Sequence, residues 1–156
     1  MPTTFDGESM RSDKIGQTAR FCVQVNKAIL ATFSECSGLS ATVRSDKWEE
    51  GGANHTTLKF PGRTDFGNLT LKHGLSLSTE LFDWFLDVLE GMKARREITV
   101  LLIGQDLQTL QSWHFNNAFP VKWTGPTLQA TSNGVAIEAI EFAHDGFVTL
   151  NRGKKV

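Results

Sequence analysis

The chain has 156 residues, a length that suits one domain with a hydrophobic core of its own. Its content of 40% hydrophobic and 21% charged residues is ordinary for a globular protein. The net charge of -1 excludes a general electrostatic attraction to nucleic acid or anionic membranes, and no apolar run approaches the roughly 20 residues that span a bilayer, so no membrane anchor is predicted.

The two ends of the chain are polar. Residues 1–17 have few apolar side chains and no clear period, so we expect a flexible N-terminal arm. This segment lacks the apolar stretch of a signal peptide, which predicts folding and assembly in the cytoplasm. Residues 151–156 are predicted to be a loose basic tail, which leaves residues 18–150 as a single β domain.

Alternating apolar residues predict strands in the first third of the domain. Residues 21–25 form the first, a tight turn follows at Asn26-Lys27, and residues 29–33 form the second. Residues 39–44 alternate weakly and are a candidate third strand. Two cysteines, Cys22 and Cys36, are too few for a disulfide framework, and we expect free thiols that pack as small apolar groups.

Residues 44–54 break every periodic pattern, because they combine mixed charges, a glycine pair and one tryptophan. Such a segment is predicted to be a long mobile loop. Its one large apolar side chain, Trp48, is flanked by charges. Trp48 therefore either folds back onto its own sheet or contacts a partner.

A hairpin is predicted next, with strands at residues 55–60 and 68–73 around a turn at Pro61-Gly62. Leu58 and Phe60 share one face of its first strand, and Thr57 and Lys59 share the other.

One helix is predicted over residues 79–92, with Ser78 as the N-cap and Gly91 in the C-terminal stop. Trp84 broadens its apolar stripe. The positions of that stripe follow helical spacing and are expected to face the core: Leu81, Phe82, Phe85, Val88, Leu89 and Met92.

The rest of the chain returns to β structure. Residues 98–103 are almost wholly apolar, which predicts a strand covered on both faces. Residues 109–115 form the returning strand, residues 121–123 a short edge piece, and residues 135–142 a strand with a β-bulge near Glu138-Ala139. The predicted fold is mainly β, an antiparallel sandwich or barrel of about seven to nine strands with one flanking helix.

No motif for a chemical reaction is present. The histidines His55, His73, His114 and His144 have no metal-ligand spacing, and His144 is assigned to a turn with Asp145-Gly146. The chain has no nucleophile elbow, phosphate-binding loop or dinucleotide fingerprint. We therefore predict no catalytic residue, no cofactor and no metal, and expect a protein that is not an enzyme.

Several segments together carry a resemblance to a known family: residues 21–25, 33–39, 60–74, the helix, and 137–147. In order and spacing, from about residue 19 to 147, the chain resembles the tail tube proteins of contractile phages, phage-tail-like bacteriocins and extracellular contractile injection systems. The resemblance implies a barrel-like domain with a flanking helix, six copies per ring, and rings stacked into a rigid tube. A contracting sheath drives such a tube, with a spike at its tip, through a target envelope.

The same resemblance implies where contacts lie. The family's extended loop touches the adjacent ring, which by position assigns that role here to Arg44, Asp46, Lys47, Trp48, Glu49 and Glu50. Thr57 and Lys59, which flank the loop, are candidates for lining the channel. The implied partners are other copies of the chain, sheath protein, baseplate and spike proteins, a tube terminator and cargo in the lumen, with no nucleic-acid specificity. The implied location is a phage tail or a related particle that can be released from the cell.

Two alternatives stay open at this stage. Tube initiators and baseplate adaptors share the fold and similar motifs with the main tube subunit. A small-ligand-binding β-barrel with a closed apolar pocket is the alternative from a different class.

Overall fold

The computed structural model describes residues 20–48, 51–52, 57–74, 79–105, 107–131, 134 and 136–151. The predicted N-terminal arm and all of the predicted C-terminal tail except Asn151 lie outside this part of the chain. The described part contains ten strands and one helix. In chain order they are β1 (Arg20–Val25), β2 (Ala28–Phe33), β3 (Glu35–Ser37), β4 (Ala41–Trp48), β5 (Leu58–Phe66), β6 (Leu69–Gly74), α1 (Glu80–Leu89), β7 (Arg96–Ile103), β8 (Thr109–Thr124), β9 (Ile137–Ala143) and β10 (Gly146–Asn151).

Eight strands form one antiparallel sheet, and seven of them lie on a continuous path. Its order is β2-β1-β7-β8-β9-β6-β3, and β10 pairs with β8. The long strand β8 pairs with β7 and β10 along its first part and with β9 along its last part, so it belongs to two layers. The layers face each other as in a sandwich, which confirms the predicted mainly β fold with one helix.

The core lies between these layers. Strands β1, β7 and β8 contribute one set of inward residues, and β6 and β9 contribute the other, as alternation along each strand requires. The largest fully buried side chains include Trp84, Phe115, Phe142, Leu69, Leu71, Ile98, Val23 and Val100. Only alternate residues of β7 are buried, and Leu101 on its other face is half-buried. The expectation that this strand is covered on both faces is therefore wrong for the single chain.

The turn between β1 and β2 confirms its prediction. Asn26 and Lys27 have φ values of 49° and 70°. Two consecutive positive φ values are typical of a type I′ hairpin turn, whose twist matches the flanking strands. The backbone N–H of Asn26 also donates to the Glu97 carbonyl at 3.0 Å, which ties the turn to β7.

The predicted hairpin around Pro61-Gly62 is wrong. Strand β5 runs through both residues, and Pro61 lies opposite Ser45 of β4. The chain turns instead at Gly67-Asn68, and β6 pairs with β3 and β9 rather than with β5. Proline is tolerated at Pro61 because β4 is the only described strand that pairs with β5, so the missing N–H of Pro61 breaks no second ladder among the described strands.

The predicted bulge in the last long strand is also wrong. Strand β9 pairs with β6 in regular register, and the register shift against β8 falls between Pro120 and Lys122. The extra residue therefore belongs to β8. Ile137 breaks the apolar parity because its side chain is 51% exposed rather than buried.

The helix begins later and ends earlier than predicted. Its N-cap is Thr79 rather than Ser78, and the Thr79 hydroxyl donates to the Asp83 carboxylate instead of capping the backbone. Gly91 ends the helix as predicted, with φ 86°. The Gly91 N–H donates to the Val88 carbonyl and the Met92 N–H to the Asp87 carbonyl, which is a Schellman motif.

The apolar stripe of the helix is rotated relative to the prediction. Trp84 is 1% exposed, and Leu81 and Val88 pack against the core beside it. Leu89 and Met92 are 65% and 55% exposed, so their assignment to the core is wrong. The buried stripe of the helix is therefore centred on Trp84, with Leu81 and Val88 beside it.

Candidate assembly interface

Strands β4 and β5 form a separate two-stranded sheet, which we name the projecting hairpin. Neither strand pairs with another described strand. Every residue of β4 is exposed, and in β5 only Gly62 and Phe66 are half-buried. Because an isolated two-stranded hairpin is marginally stable at best in water, this element gains most from a contact outside its own domain.

The projecting hairpin contains most of the residues that the sequence singled out. Arg44, Asp46, Lys47 and Trp48 lie on β4, so the prediction of a loop is wrong for them. The strand has no apolar alternation because solvent covers both of its faces, and periodicity reports burial rather than strand geometry. Glu49 and Glu50 lie outside the described residues.

One face of the projecting hairpin is apolar. Trp48 lies directly opposite Leu58, and Asp46 lies opposite Phe60, so these four side chains share a face. Trp48 is 64% exposed and Phe60 is 52% exposed. Trp48 therefore does not fold back onto its own domain. A cluster of large apolar side chains left in water is typical of a protein interaction site.

The opposite face is basic. Lys47 and Lys59 are directly opposed across the two strands, an arrangement that is unfavourable without neighbouring anions. Thr57 precedes β5 and is exposed. The assignment of Thr57 and Lys59 to the channel wall stays a prediction.

The projecting hairpin joins the domain through a narrow neck, formed by residues 38–40 and 67–68. Gly38 has φ 87°, and a Cβ atom there would collide with the carbonyl oxygen of Asn68. The Gly67 N–H donates to the Ser40 carbonyl at 3.0 Å. The Asn68 side-chain amide donates to the Glu141 carboxylate at 2.7 Å, which ties the neck to β9.

His144 makes a second tie to the neck. Its Nε2 lies 2.9 Å from the Gly67 carbonyl oxygen, and because a carbonyl only accepts, Nε2 carries the hydrogen. The ring packs against Phe115, Phe66 and Phe147 at centroid distances of 4.9, 5.9 and 6.1 Å. Phe66 is the last residue of β5, so His144 holds the base of the projecting hairpin against the core. The sequence assigned His144 only to a turn, and its Gly67 partner is too distant in sequence for any local pattern to indicate.

Replacing His144 by phenylalanine is expected to loosen the hairpin without unfolding the domain. The ring contacts persist, and the buried Nδ1 atom, which has no hydrogen-bond partner, disappears. The lost bond to Gly67 is worth about 1 kcal/mol. Hydrogen–deuterium exchange should accelerate in β4 and β5 while the melting temperature stays within a few degrees. His114→Phe, which removes an imidazole bonded to Thr99 in the other layer, is the control. Unchanged exchange in the hairpin of His144→Phe would contradict this role.

A second apolar surface lies at the C-terminal end of α1. A groove of about 460 Å³ there is lined by Val88, Gly91, Met92, Lys93, Ala94, Arg95 and Phe119. The Arg95 guanidinium lies 5.0 Å above the Phe119 ring and 3.2 Å from the Asp145 carboxylate, which fixes one wall. We name this surface the helix-end groove. Leu89, 65% exposed, follows Val88 on the same helix. The sequence did not predict the groove because it assigned Met92 to the core.

The metal-ligating and nucleophilic side chains of the described residues are scattered over the fold. They contain no group of three or more His, Cys, Asp or Glu side chains that could hold a metal ion. Cys22 and Cys36 are both free, as predicted, and burial raises the pKa of the Cys36 thiol to about 11, so that thiol is protonated at neutral pH. No helix in this part of the chain is long and apolar enough to cross a membrane.

Comparisons with known proteins find a family of tail tube proteins and structures that contain similar chains. The family profile described as T4-like virus tail tube protein gp19 matches residues 17–148. No curated protein sequence matches the chain. Among solved structures, the PVC sheath-tube complex of an extracellular contractile injection system, in the extended state, contains a chain with 27% identity and a TM-score of 0.77. That alignment covers 97% of this chain and 99% of the other.

Two further structures are similar over most of their length. A chain of the PVC sheath/tube terminator in the extended state is 31% identical with a TM-score of 0.74, covering 84% of this chain and 93% of that one. A chain of the anti-feeding prophage baseplate is 25% identical with a TM-score of 0.75, covering 87% and 94%. The first two structures come from an extracellular contractile injection system, and the third is a baseplate.

Proposed function

This chain belongs to the T4-like virus tail tube protein family and is a tube subunit of a contractile injection system, and we propose that it forms stacked hexameric rings with the projecting hairpin as the contact between rings. The rings make a rigid inner tube that sheath contraction propels through a target envelope. The chain acts as a structural subunit without enzymatic activity.

The observation that carries this proposal is the exposed apolar face of the projecting hairpin. Trp48, Leu58 and Phe60 together present aromatic and aliphatic surface on an element that its own domain does not cover. Aromatic side chains of this kind dominate the binding energy of protein interfaces. We assign the inter-ring contact to Arg44, Asp46, Lys47 and Trp48 together with Glu49 and Glu50, which follow them in the sequence.

The proposed partners follow from the particles in which similar chains occur. The similar structures come from a sheath-tube complex, a sheath/tube terminator and a baseplate. We propose corresponding contacts of this chain with sheath, terminator and baseplate proteins, and a lumen that can hold cargo. Assembly in the cytoplasm before release of the particle is part of the same proposal.

The two alternatives are less well supported. A ligand-binding barrel needs an open interior, whereas the space between the layers is filled by side chains such as Phe115, Phe142 and Leu69, each 0% exposed. An initiator or adaptor ring would share the fold. It differs from the main tube subunit in its assembly, because an initiator forms single rings rather than long tubes.

Electron microscopy of the purified chain tests the proposal. Negative-stain images of concentrated protein should show six-fold rings and hollow filaments of uniform width. Analytical ultracentrifugation of the same sample should show species far larger than the 17.3 kDa chain. A single monomeric species at high concentration, both alone and with co-expressed sheath protein, would contradict self-assembly.

A further inference from the structure

We propose that the helix-end groove of one copy receives the apolar face of the projecting hairpin of a second copy. This inference rests on the proposed function, because it names the surface to which the projecting hairpin binds. Both surfaces are uncovered in the single chain: Trp48 is 64% exposed and Met92 is 55% exposed.

The size of the groove suits this occupant. Its volume of about 460 Å³ lies within the range of about 300–1,000 Å³ that is typical of pockets for compact apolar groups. Val88, Met92, Ala94 and Phe119 give it an apolar lining. An indole seated among such side chains loses its contact with water, which is the setting in which Trp is most often a binding hot spot.

The charges of the two surfaces are complementary. The apolar face of the hairpin carries Asp46, and Glu49 and Glu50 directly follow Trp48 in the sequence. Two cations line the groove, and one of them, Arg95, is already paired with Asp145 at 3.2 Å, so the complementary charge that the groove offers the hairpin is Lys93. An acidic group beside the apolar anchor therefore meets a basic group beside the apolar pocket, which favours this pairing.

A contact between these two surfaces explains how a tube grows by addition of further copies. The hairpin and the groove are different patches of the same chain, so each copy offers one of each. A contact between unlike patches is head-to-tail, and it propagates or closes into a ring depending on the rotation between copies. Copies related in this way add without limit along a tube axis.

Site-specific photocrosslinking tests the pairing directly. The substitution Trp48→p-benzoylphenylalanine keeps a large aromatic group at the anchor position. Irradiation of assembled tubes, followed by peptide mapping, should join position 48 of one copy to the segment 88–95 of another. Crosslinks to any other segment, or tubes that form without any crosslink between copies, would overturn the proposal.

Charge reversal gives an independent readout. Lys93→Glu and Asp46→Lys should each raise the critical concentration for assembly by about ten-fold, and the double variant should recover most of that loss. Met92→Asp should prevent assembly, whereas Leu128→Asp, at a loop residue that is 80% exposed, should not. If hairpin variants block assembly but Lys93→Glu and Met92→Asp do not, the groove assignment is wrong and the proposed function stands. If hairpin variants also assemble normally, both the groove pairing and the assignment of the inter-ring contact to the projecting hairpin are wrong, although the chain still forms tubes.

Discussion

Replacing Trp48 by alanine is expected to abolish tube formation while leaving the single chain folded. The side chain is 64% exposed, so its removal changes the stability of the free chain by no more than about 0.5 kcal/mol. In an interface, loss of a central tryptophan costs about 2 kcal/mol or more. In the proposed hexameric rings, six such contacts would join two rings, so the loss would reach about 12 kcal/mol per ring pair.

Two measurements separate the effects of this substitution. Pelleting of filaments with electron microscopy reports assembly, and thermal unfolding of the dilute chain reports the fold. Trp48→Phe should keep part of the assembly, because a smaller aromatic ring still fills the contact. Leu128→Ala is the matched control, since Leu128 is also apolar and exposed but lies outside the hairpin and the groove.

The opposite outcome is equally informative. A large fall in the melting temperature of the Trp48→Ala chain would mean that this residue packs within its own chain. Normal tubes from Trp48→Ala protein would remove the projecting hairpin from the inter-ring contact.

Elements set by local chemistry could be predicted from the sequence. The Asn26-Lys27 turn lies between two apolar strands and begins with asparagine, a residue type that tolerates positive φ. Gly91 ends the helix because the Schellman motif needs a left-handed residue at that position. Neither depends on a partner distant in the chain.

Elements that depend on pairing between distant strands could not be predicted from the sequence. Pro61-Gly62 is a typical turn sequence, yet it lies inside β5, and the partners of β6 are β3 and β9. Strand β9 is more than sixty residues from β6 in the chain. Turn propensity reports only local backbone geometry. It therefore cannot decide whether the chain reverses direction at Pro61-Gly62 or at Gly67-Asn68 when the order of the strands is unknown.

The sequence predicted the residues around Trp48 as a contact surface but did not predict the helix-end groove. Charges around Trp48 pointed to a contact surface, and four of the six residues named for it lie on an exposed strand. Leu58 and Phe60 share a face as predicted, but that face is turned to solvent. The helix-end groove was missed because Leu89 and Met92 fit a helical apolar stripe, and periodicity cannot distinguish a core face from an interface.

Replacing Trp84 by alanine is expected to cause the largest loss of stability from a single substitution in this chain. Trp84 is 1% exposed, and its indole ring packs 5.3 Å from the Phe142 ring. Its Nε1–H donates to the Ala94 carbonyl at 2.6 Å, and the Arg96 guanidinium lies 4.8 Å above it. Removing a large buried aromatic side chain costs about 4 kcal/mol, because a cavity remains where the ring was.

Thermal and denaturant unfolding of the dilute chain measure this loss. A decrease of about 4 kcal/mol lowers the melting temperature of a domain of this size by about 10 °C. Trp84→Phe should lose less, about 2 kcal/mol, because a smaller aromatic ring still fills part of the site while the bond to Ala94 is broken. Leu89→Ala on the same helix should change stability by no more than about 0.5 kcal/mol, since Leu89 is 65% exposed.

These variants also distinguish the core role of the helix from its surface role. Trp84 anchors α1 to the core, so its loss should impair folding and, through the displaced helix, assembly as well. Met92, which follows the helix, lines the helix-end groove and is 55% exposed, so Met92→Ala should weaken assembly without lowering the melting temperature. A Trp84→Ala chain that melts within about 2 °C of the parent would show that the helix is held mainly by other contacts.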